Sequence, residues 1–309
     1  MLKSFSQFIF ERKQPGQLQQ MNLAVAVEMP DNQYIFDSVY NQTKLWNIFT
    51  KQDEPQYLHM PTLNYSNWQT TRLIKAGMNP ELVYNKKEAK KKVSGKKAWH
   101  MLHEGSIYIP STVYRADDVK NLSFPVVAKP DNRYAGQGIV VFERPEDFQN
   151  VQMESFSVFS EKIDIVEESR VFCWRGQPLV HMFRVPADNE TKALSKDPEA
   201  KLSFNYELSE ASVPEDMIEA IREFAKVHDD LDFYSVDFAR SKDQLYVIEM
   251  SSEPGPCFGV MGHVYKCMYQ DHYGQPIDQT AASQIDQWIK EDINATITSD
   301  PDRFSIRKQ

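Results

Sequence analysis

At 309 residues, with 41% hydrophobic and 26% charged side chains, the chain is long enough for two or three lobes, each with its own core. A formal charge of -9 argues against wholesale wrapping of nucleic acid, and no apolar run approaches the roughly 18 residues of a membrane span. Three cysteines, Cys173, Cys257 and Cys267, are too few for a disulfide framework, and the short apolar cluster near the start carries no cleavage signature, so a reducing cytoplasm is the expected setting.

Residues 1–90 read as a small α/β lobe, with a strand over 23–27 and helices over 38–49 and 67–76, and without a phosphate loop or nucleophile motif. The stretch 86–97 places seven lysines in twelve residues and, taken alone, is a solvated helix face in preference to a nucleic-acid patch. Residues 98–105 (AWHMLHEG) form a short helix. His100 and His103 share a face of it and are expected to be structural, because no third ligand accompanies them. Next come a strand over 124–129, a glycine-bearing turn over 134–138, a returning strand over 139–143 and a helix start at Pro145. Lys129 ends the first of these strands. Its ammonium suits phosphate oxygens, with the amides of the glycine loop lying over them. Two glycines also fit an ordinary hairpin, and the strand that follows the loop excludes a P-loop or Rossmann turn.

Apolar residues 156–159 lead into Glu161, Lys162 and Ile163, where a strand leaves the core. Segments 170–174 and 179–185 make a hairpin turning at 175–178. Arg170 and Arg184, near its strand ends, either pair with Glu167 or Glu168 or contact an anionic substrate. Residues 186–210 are polar and weakly periodic, as in a substrate-facing loop or disordered flap. A helix follows, with Ser212 and Glu215 as a capping box and Met217, Ile221, Phe224 and Ala225 as its apolar stripe. Strands over 234–240 and 245–251 then carry Asp237 on one face of the first, and Glu249 and Ser251 on one face of the second. If the strands pair, the acids can converge on a hard divalent ion; the alternative is an exposed edge hairpin with surface acids. Cys257, His263, Cys267 and His272 lack the spacing of a zinc module, residues 285–293 are a closing helix, and the last dozen residues read as a tail.

This succession of lysine strand (VVAKPDNRYAGQGI), strand exit (FSVFSEKID), arginine hairpin (ESRVFCWRGQPL) and acidic pair (DFARSKDQLYVIEMSSEPG) resembles the ATP-grasp superfamily of carboxylate-amine ligases, over about residues 86–260. The resemblance implies an α/β (α+β) fold in which two α+β subdomains grip ATP behind a small α/β lobe: 1–90 for that lobe, 91–160 for the lid subdomain and 161–309 for the metal-binding subdomain. Carried over by position, Lys96 (with Lys97 as the alternative) and Lys129 contact the phosphates. Gly136, Gln137 and Gly138 form the lid, and Glu161, Lys162 and Ile163 the adenine hinge. Asp237 and Glu249 hold Mg2+, with Mn2+ as a substitute, and Ser251 stands where the family usually has asparagine. Glu253 offers a further carboxylate nearby.

The implied activity is amide or peptide bond formation from ATP, a small-molecule or peptide carboxylate and an amine, through an acylphosphate whose oxygens Arg170 or Arg184 stabilise. The alternatives are a kinase or phosphotransferase on the same fold, and a nucleotide-binding protein weakened by Ser251. Neither membrane nor nucleic acid is an expected partner; a homodimer stays open.

Overall fold

The computed structural model describes residues 23–26, 47–49, 58–65, 67–131, 138–150, 152–186, 204–255 and 257–308. The chain divides into two compact units, Met1–Tyr84 with Gly255–Asn294, and Asn85–Pro254 with Ala295–Gln309.

In the first unit, strands β1 (Ala24–Ala26), β2 (Asn47–Phe49) and β3 (Thr62–Asn64) are followed by helix α1 (Asn67–Lys75) and strand β4 (Val83–Tyr84), and the four strands pair in parallel in the order β2-β1-β3-β4. Residues 47–49 therefore correct the expected helix over 38–49: Ile48 lies opposite Val25, where a β-branched residue suits a ladder better than a helix end. Residues 38–46 lie outside the described residues.

The second unit opens with helices α2 (Lys87–Ser94) and α3 (Lys96–Leu102), separated by Gly95. Strands β5 (Thr112–Val113), β6 (Val126–Lys129), β7 (Val140–Phe142) and β8 (Val158–Glu161) form an antiparallel sheet in the order β5-β8-β6-β7, its core built on Val126, Ala128, Phe142 and Phe159. The larger sheet comprises β9 (Glu167–Trp174), β10 (Gln177–Pro186) and β11 (Phe204–Ser209) and, after helix α4 (Glu215–Val227), β12 (Phe233–Arg240) and β13 (Leu245–Ser251). Helices α5 (Val260–Tyr273) and α6 (Gln279–Ser299) come next in the chain, and β14 (Phe304–Arg307) completes the sheet in the order β13-β12-β9-β10-β11-β14.

Three local expectations are corrected here. The C-terminal tail is strand β14, parallel to β11, anchored where Arg307 Nε donates to Glu207 Oε2 at 2.5 Å. Residues 204–209 of the polar segment are strand, since Phe204, Tyr206 and Leu208 continue the ladder on β10; residues 187–203 lie outside the described residues. No capping box forms either, because α4 starts at Glu215 with Pro214 as its N-cap, and Asp216 accepts the Met217 amide.

The α4 stripe holds at Met217, Ile221 and Phe224, while Ala220 is buried in place of the expected Ala225, which is half-buried. Met217, Ala220, Ile221 and Phe224 pack on Val171, Cys173, Tyr234, Val236, Phe238 and Val247, which share one face of the large sheet. Val93 and Trp99 extend that core, so α2 and α3 are fixed against the sheet that carries the acidic pair.

A buried knot ties the start of this unit to β12. Asn85 is 1% exposed and adopts a φ of +57°, a left-handed conformation that asparagine tolerates. Its Oδ1 accepts the amides of Asp232 and Phe233 at 2.9 and 2.7 Å, and its Nδ2 donates to the Phe233 carbonyl at 2.6 Å. Asn85→Ala leaves two buried amides and a carbonyl without these partners and should lower the unfolding free energy by about 3 kcal/mol, as urea denaturation would measure.

His103 and His228 are also structural in this core. Their Nε2 atoms lie 2.8 Å apart and His103 stacks on Phe224 at 4.1 Å. Burial lowers both, and His181, to about 4. The unfolded chain takes up these protons near 6.5, so it binds more protons than the native state between about 6.5 and 4. Stability should therefore fall as pH drops through that window, and His228→Phe should lower the slope of unfolding free energy against pH by about one proton.

Candidate active site

The face of the large sheet opposite α4 carries a polar row beside the buried Phe172 and Phe233. Glu249, Asp237 and Arg170 stand directly across from one another on β13, β12 and β9, and Arg184 on β10 lies opposite Glu168. The register shifts between Asp237 and Phe238, leaving Ile248 as the extra residue of a β-bulge. As a result, consecutive Ile248 and Glu249 both border one cleft.

Asp237 is 4% exposed, so it is not a surface acid, whereas Glu249 is exposed on β13, which is an edge strand of the sheet. Its Oδ1 accepts from Arg170 Nε at 2.6 Å, and its Oδ2 from Arg170 Nη2 and Arg184 Nη1, each at 2.8 Å. Burial by itself raises a carboxyl pKa, but the two guanidiniums outweigh it and hold Asp237 below its ordinary value. Glu168, 3.7 Å from Arg184, shifts the other way, because burial there outweighs the guanidinium. Of the pairings read from sequence, Arg184 does meet Glu168, but the main partner of both arginines is Asp237, which that reading did not name.

Across the cleft from Ile248, Glu249 and Met250 stand Val93 and Ser94 of α2, Lys96, Trp99 and His100 of α3, Lys129 and Asp131 at and just after the end of β6, and Ile139; the cleft is narrow and partly open to solvent. Asp131 ties the end of β6 to α3 within that wall by accepting the Lys97 amide at 2.9 Å. Lys96 borders the cleft, whereas Lys97 is not among its lining residues. Burial lowers Lys129 to about 8, with Glu249 opposing the shift and Lys96 adding to it. Among the described residues no carboxylate lies within ion-pairing distance of Lys129, so its charge is available to an anion.

The structure thus brings Lys96, Lys129 and Glu249 into one cleft, and Asp237, Arg170 and Arg184 into one cluster on the adjoining strands. Ser251 sits opposite Ser235 and its Oγ accepts the Glu253 amide at 3.3 Å. Glu253 pairs with the buried Lys90. Gly138 has a φ of +71°; Gly136 and Gln137 lie outside the described residues. Glu161, Lys162 and Ile163 are not among the cleft's lining residues: the Glu161 amide donates to the Ser111 carbonyl at 2.9 Å and the Lys162 amide to the Pro125 carbonyl at 2.8 Å. His100 and Asp131 were not singled out for the site from sequence. His100 is 1% exposed, its Nδ1 is buried without a partner, and burial beside Lys129, His103 and Lys96 holds it neutral. The lysine run does not act as one surface, since Lys90 is buried, Lys92 pairs with Asp230 at 2.8 Å and Lys96 faces the cleft.

For a divalent cation the donor chemistry fits in kind. Glu249, Asp237 and Ser251 offer hard oxygens of the kind that magnesium takes. Among the described residues no group of three His, Cys, Asp or Glu side chains is placed to hold a metal ion by itself.

A protein-family model described as an ATP-grasp domain, the third family of its clade, matches residues 75–253, more than half of the chain. The chain belongs to the ATP-grasp family. Solved structures agree on the ATP-grasp fold. D-alanine–D-alanine ligase from Bacillus anthracis complexed with ATP is 16% identical with a TM-score of 0.53, covering 90% of this chain and 99% of that one. The ATP-grasp ligase PsnB complexed with a minimal precursor is 14% identical with a TM-score of 0.51, covering 88% and 99%. N5-carboxyaminoimidazole synthetase from Staphylococcus aureus is 13% identical with a TM-score of 0.50, covering 76% and 71%. A search of curated proteins finds no match to the chain. The lysine cleft takes its lining from helices α2 and α3, from β6 of the four-stranded antiparallel sheet with residues near it, and from β13 of the six-stranded sheet. No described helix is long and apolar enough to cross a membrane.

Proposed function

We propose that this ATP-grasp protein is an ATP- and Mg2+-dependent carboxylate-amine ligase. The observation that carries the reading is the cleft joining Lys96 and Lys129 to Glu249, two cations facing the carboxylate best placed to hold a phosphate-bound divalent ion. A carboxylate oxygen of the acid attacks the terminal phosphorus of ATP, and ADP departs with the bridging oxygen. The amine nitrogen then adds to the acyl carbon, inorganic phosphate leaves, and the nitrogen loses its proton. In the first step Lys96 and Lys129 neutralise phosphate oxygens and hold them in line, and Arg170 and Arg184 face the charge that builds on the acylphosphate. Glu249, with Asp237 and Ser251, would hold the divalent ion, which supplies charge neutralisation between the phosphates. The adenine role falls to the strand exit at Ile163, since the amides of Glu161 and Lys162 are taken by the Ser111 and Pro125 carbonyls.

Neighbours with this fold include a ligase crystallised with a precursor peptide and one named for joining two D-alanines, which supports peptide or amino-acid carboxylates as the first substrates to assay. Three cysteines are too few for a disulfide framework, and a reducing cytoplasm is taken as the setting. The test is an assay with ATP, Mg2+ and a panel of acids and amines, reading nucleotide and condensed product. ADP, phosphate and an amide are expected. AMP with pyrophosphate would exclude the ligase, and a stable phosphorylated acid without amine would make the protein a phosphotransferase.

A further inference from the structure

Asp237 stands between two sets of partners. Its three accepted hydrogen bonds come from two guanidiniums, while Glu249 lies directly across from it on β13. A cation taking Asp237 as ligand would meet two positive charges at about 4 Å, a separation at which like charges repel strongly in a partly buried site. Arg184 is held over the Phe204 ring at 4.2 Å, and its Nε is buried without a partner, so its pairing with Asp237 leaves one donor unused. A phosphate presents the same flat pair of oxygens to a guanidinium as a carboxylate does. We propose that Asp237 is a positioning residue that exchanges partners on loading: without nucleotide it holds Arg170 and Arg184, and with nucleotide the phosphates take the arginines while the divalent cation takes Asp237. Cation and nucleotide then bind as a pair, and neither occupies the site well alone. The inference rests on the reading of the cleft as a nucleotide site.

Mn2+ serves as the probe, its bound fraction read by electron paramagnetic resonance with and without a non-hydrolysable ATP analogue. Arg184→Met removes one guanidinium but leaves both Arg170 bonds to Asp237, and it should bind Mn2+ alone about tenfold more tightly than the unaltered protein. Arg184→Lys keeps the charge and should behave like the unaltered protein, which separates charge from lost packing over Phe204. If Arg184→Met binds Mn2+ alone no more tightly, or Arg184→Lys binds it equally tightly, the exchange is overturned. Glu249→Gln distinguishes this failure from that of the site itself: it should lose Mn2+ with and without the analogue, and retained binding would overturn the cleft reading and the exchange together.

Discussion

Glu249→Gln should lower ATP-dependent turnover by about 10³-fold or more while changing stability by less than about 1 kcal/mol. The side chain is exposed at the cleft and no ion pair among the described residues depends on it, so the amide leaves no buried charge behind. What it removes is the anionic oxygen ligand that a phosphate-bound cation requires. Asp237→Asn gives the opposite balance, because two largely buried guanidiniums would keep only a neutral partner, and breaking a buried pair of this kind costs about 3–5 kcal/mol. Steady-state ADP release and urea unfolding, measured on both variants, separate the two roles. Turnover by Glu249→Gln within tenfold of the unaltered protein would remove Glu249 from the metal site.

Much of this site was legible because it lies on strands. Alternation along 234–240 and 245–251 put Asp237 and Glu249 on defined faces, and the paired register places them opposite one another. Lys129 was legible for the same reason, as the polar end of an apolar strand. What alternation could not supply was the bulge at Ile248, which adds one residue to β13 and has no sequence mark of its own. Nor could it show that Asp237 meets Arg170 and Arg184, since that depends on which strands become neighbours: β9 pairs with β12 across an intervening helix and two strands of sequence. Strands β11 and β14 were missed because each is an outer addition of short, half-polar segments whose burial comes from the neighbour and not from their own pattern. His100 looked like a plain helix-face histidine, and only its burial beside two lysines distinguishes it.

Lys129→Met should weaken nucleotide binding by about 10²-fold and, in the same protein, leave stability unchanged or raise it by about 1–3 kcal/mol. The two effects share one cause. Lys129 is held near Lys96 without an ion pair among the described residues, and burial has brought its pKa from 10.5 to about 8. The charged form is therefore less favoured in the folded chain than in the unfolded one, and the folded chain binds fewer protons between about pH 8 and 10.5. Stability consequently rises with pH across that window, and the rise should be absent in Lys129→Met. Phosphate needs the ammonium, so nucleotide affinity should run the other way, falling as pH climbs above about 8. Dissociation constants and unfolding free energies measured from pH 7 to 10 would place these opposed slopes side by side. A nucleotide affinity that is flat through pH 9, or a Met variant that binds as well as the unaltered protein, would mean that Lys129 does not touch phosphate. Opposed slopes that vanish together in Lys129→Met would instead make this half-buried cation, without an ion pair among the described residues, a cost to the fold that an anionic ligand relieves, which is the physical reason to expect it in a nucleotide cleft.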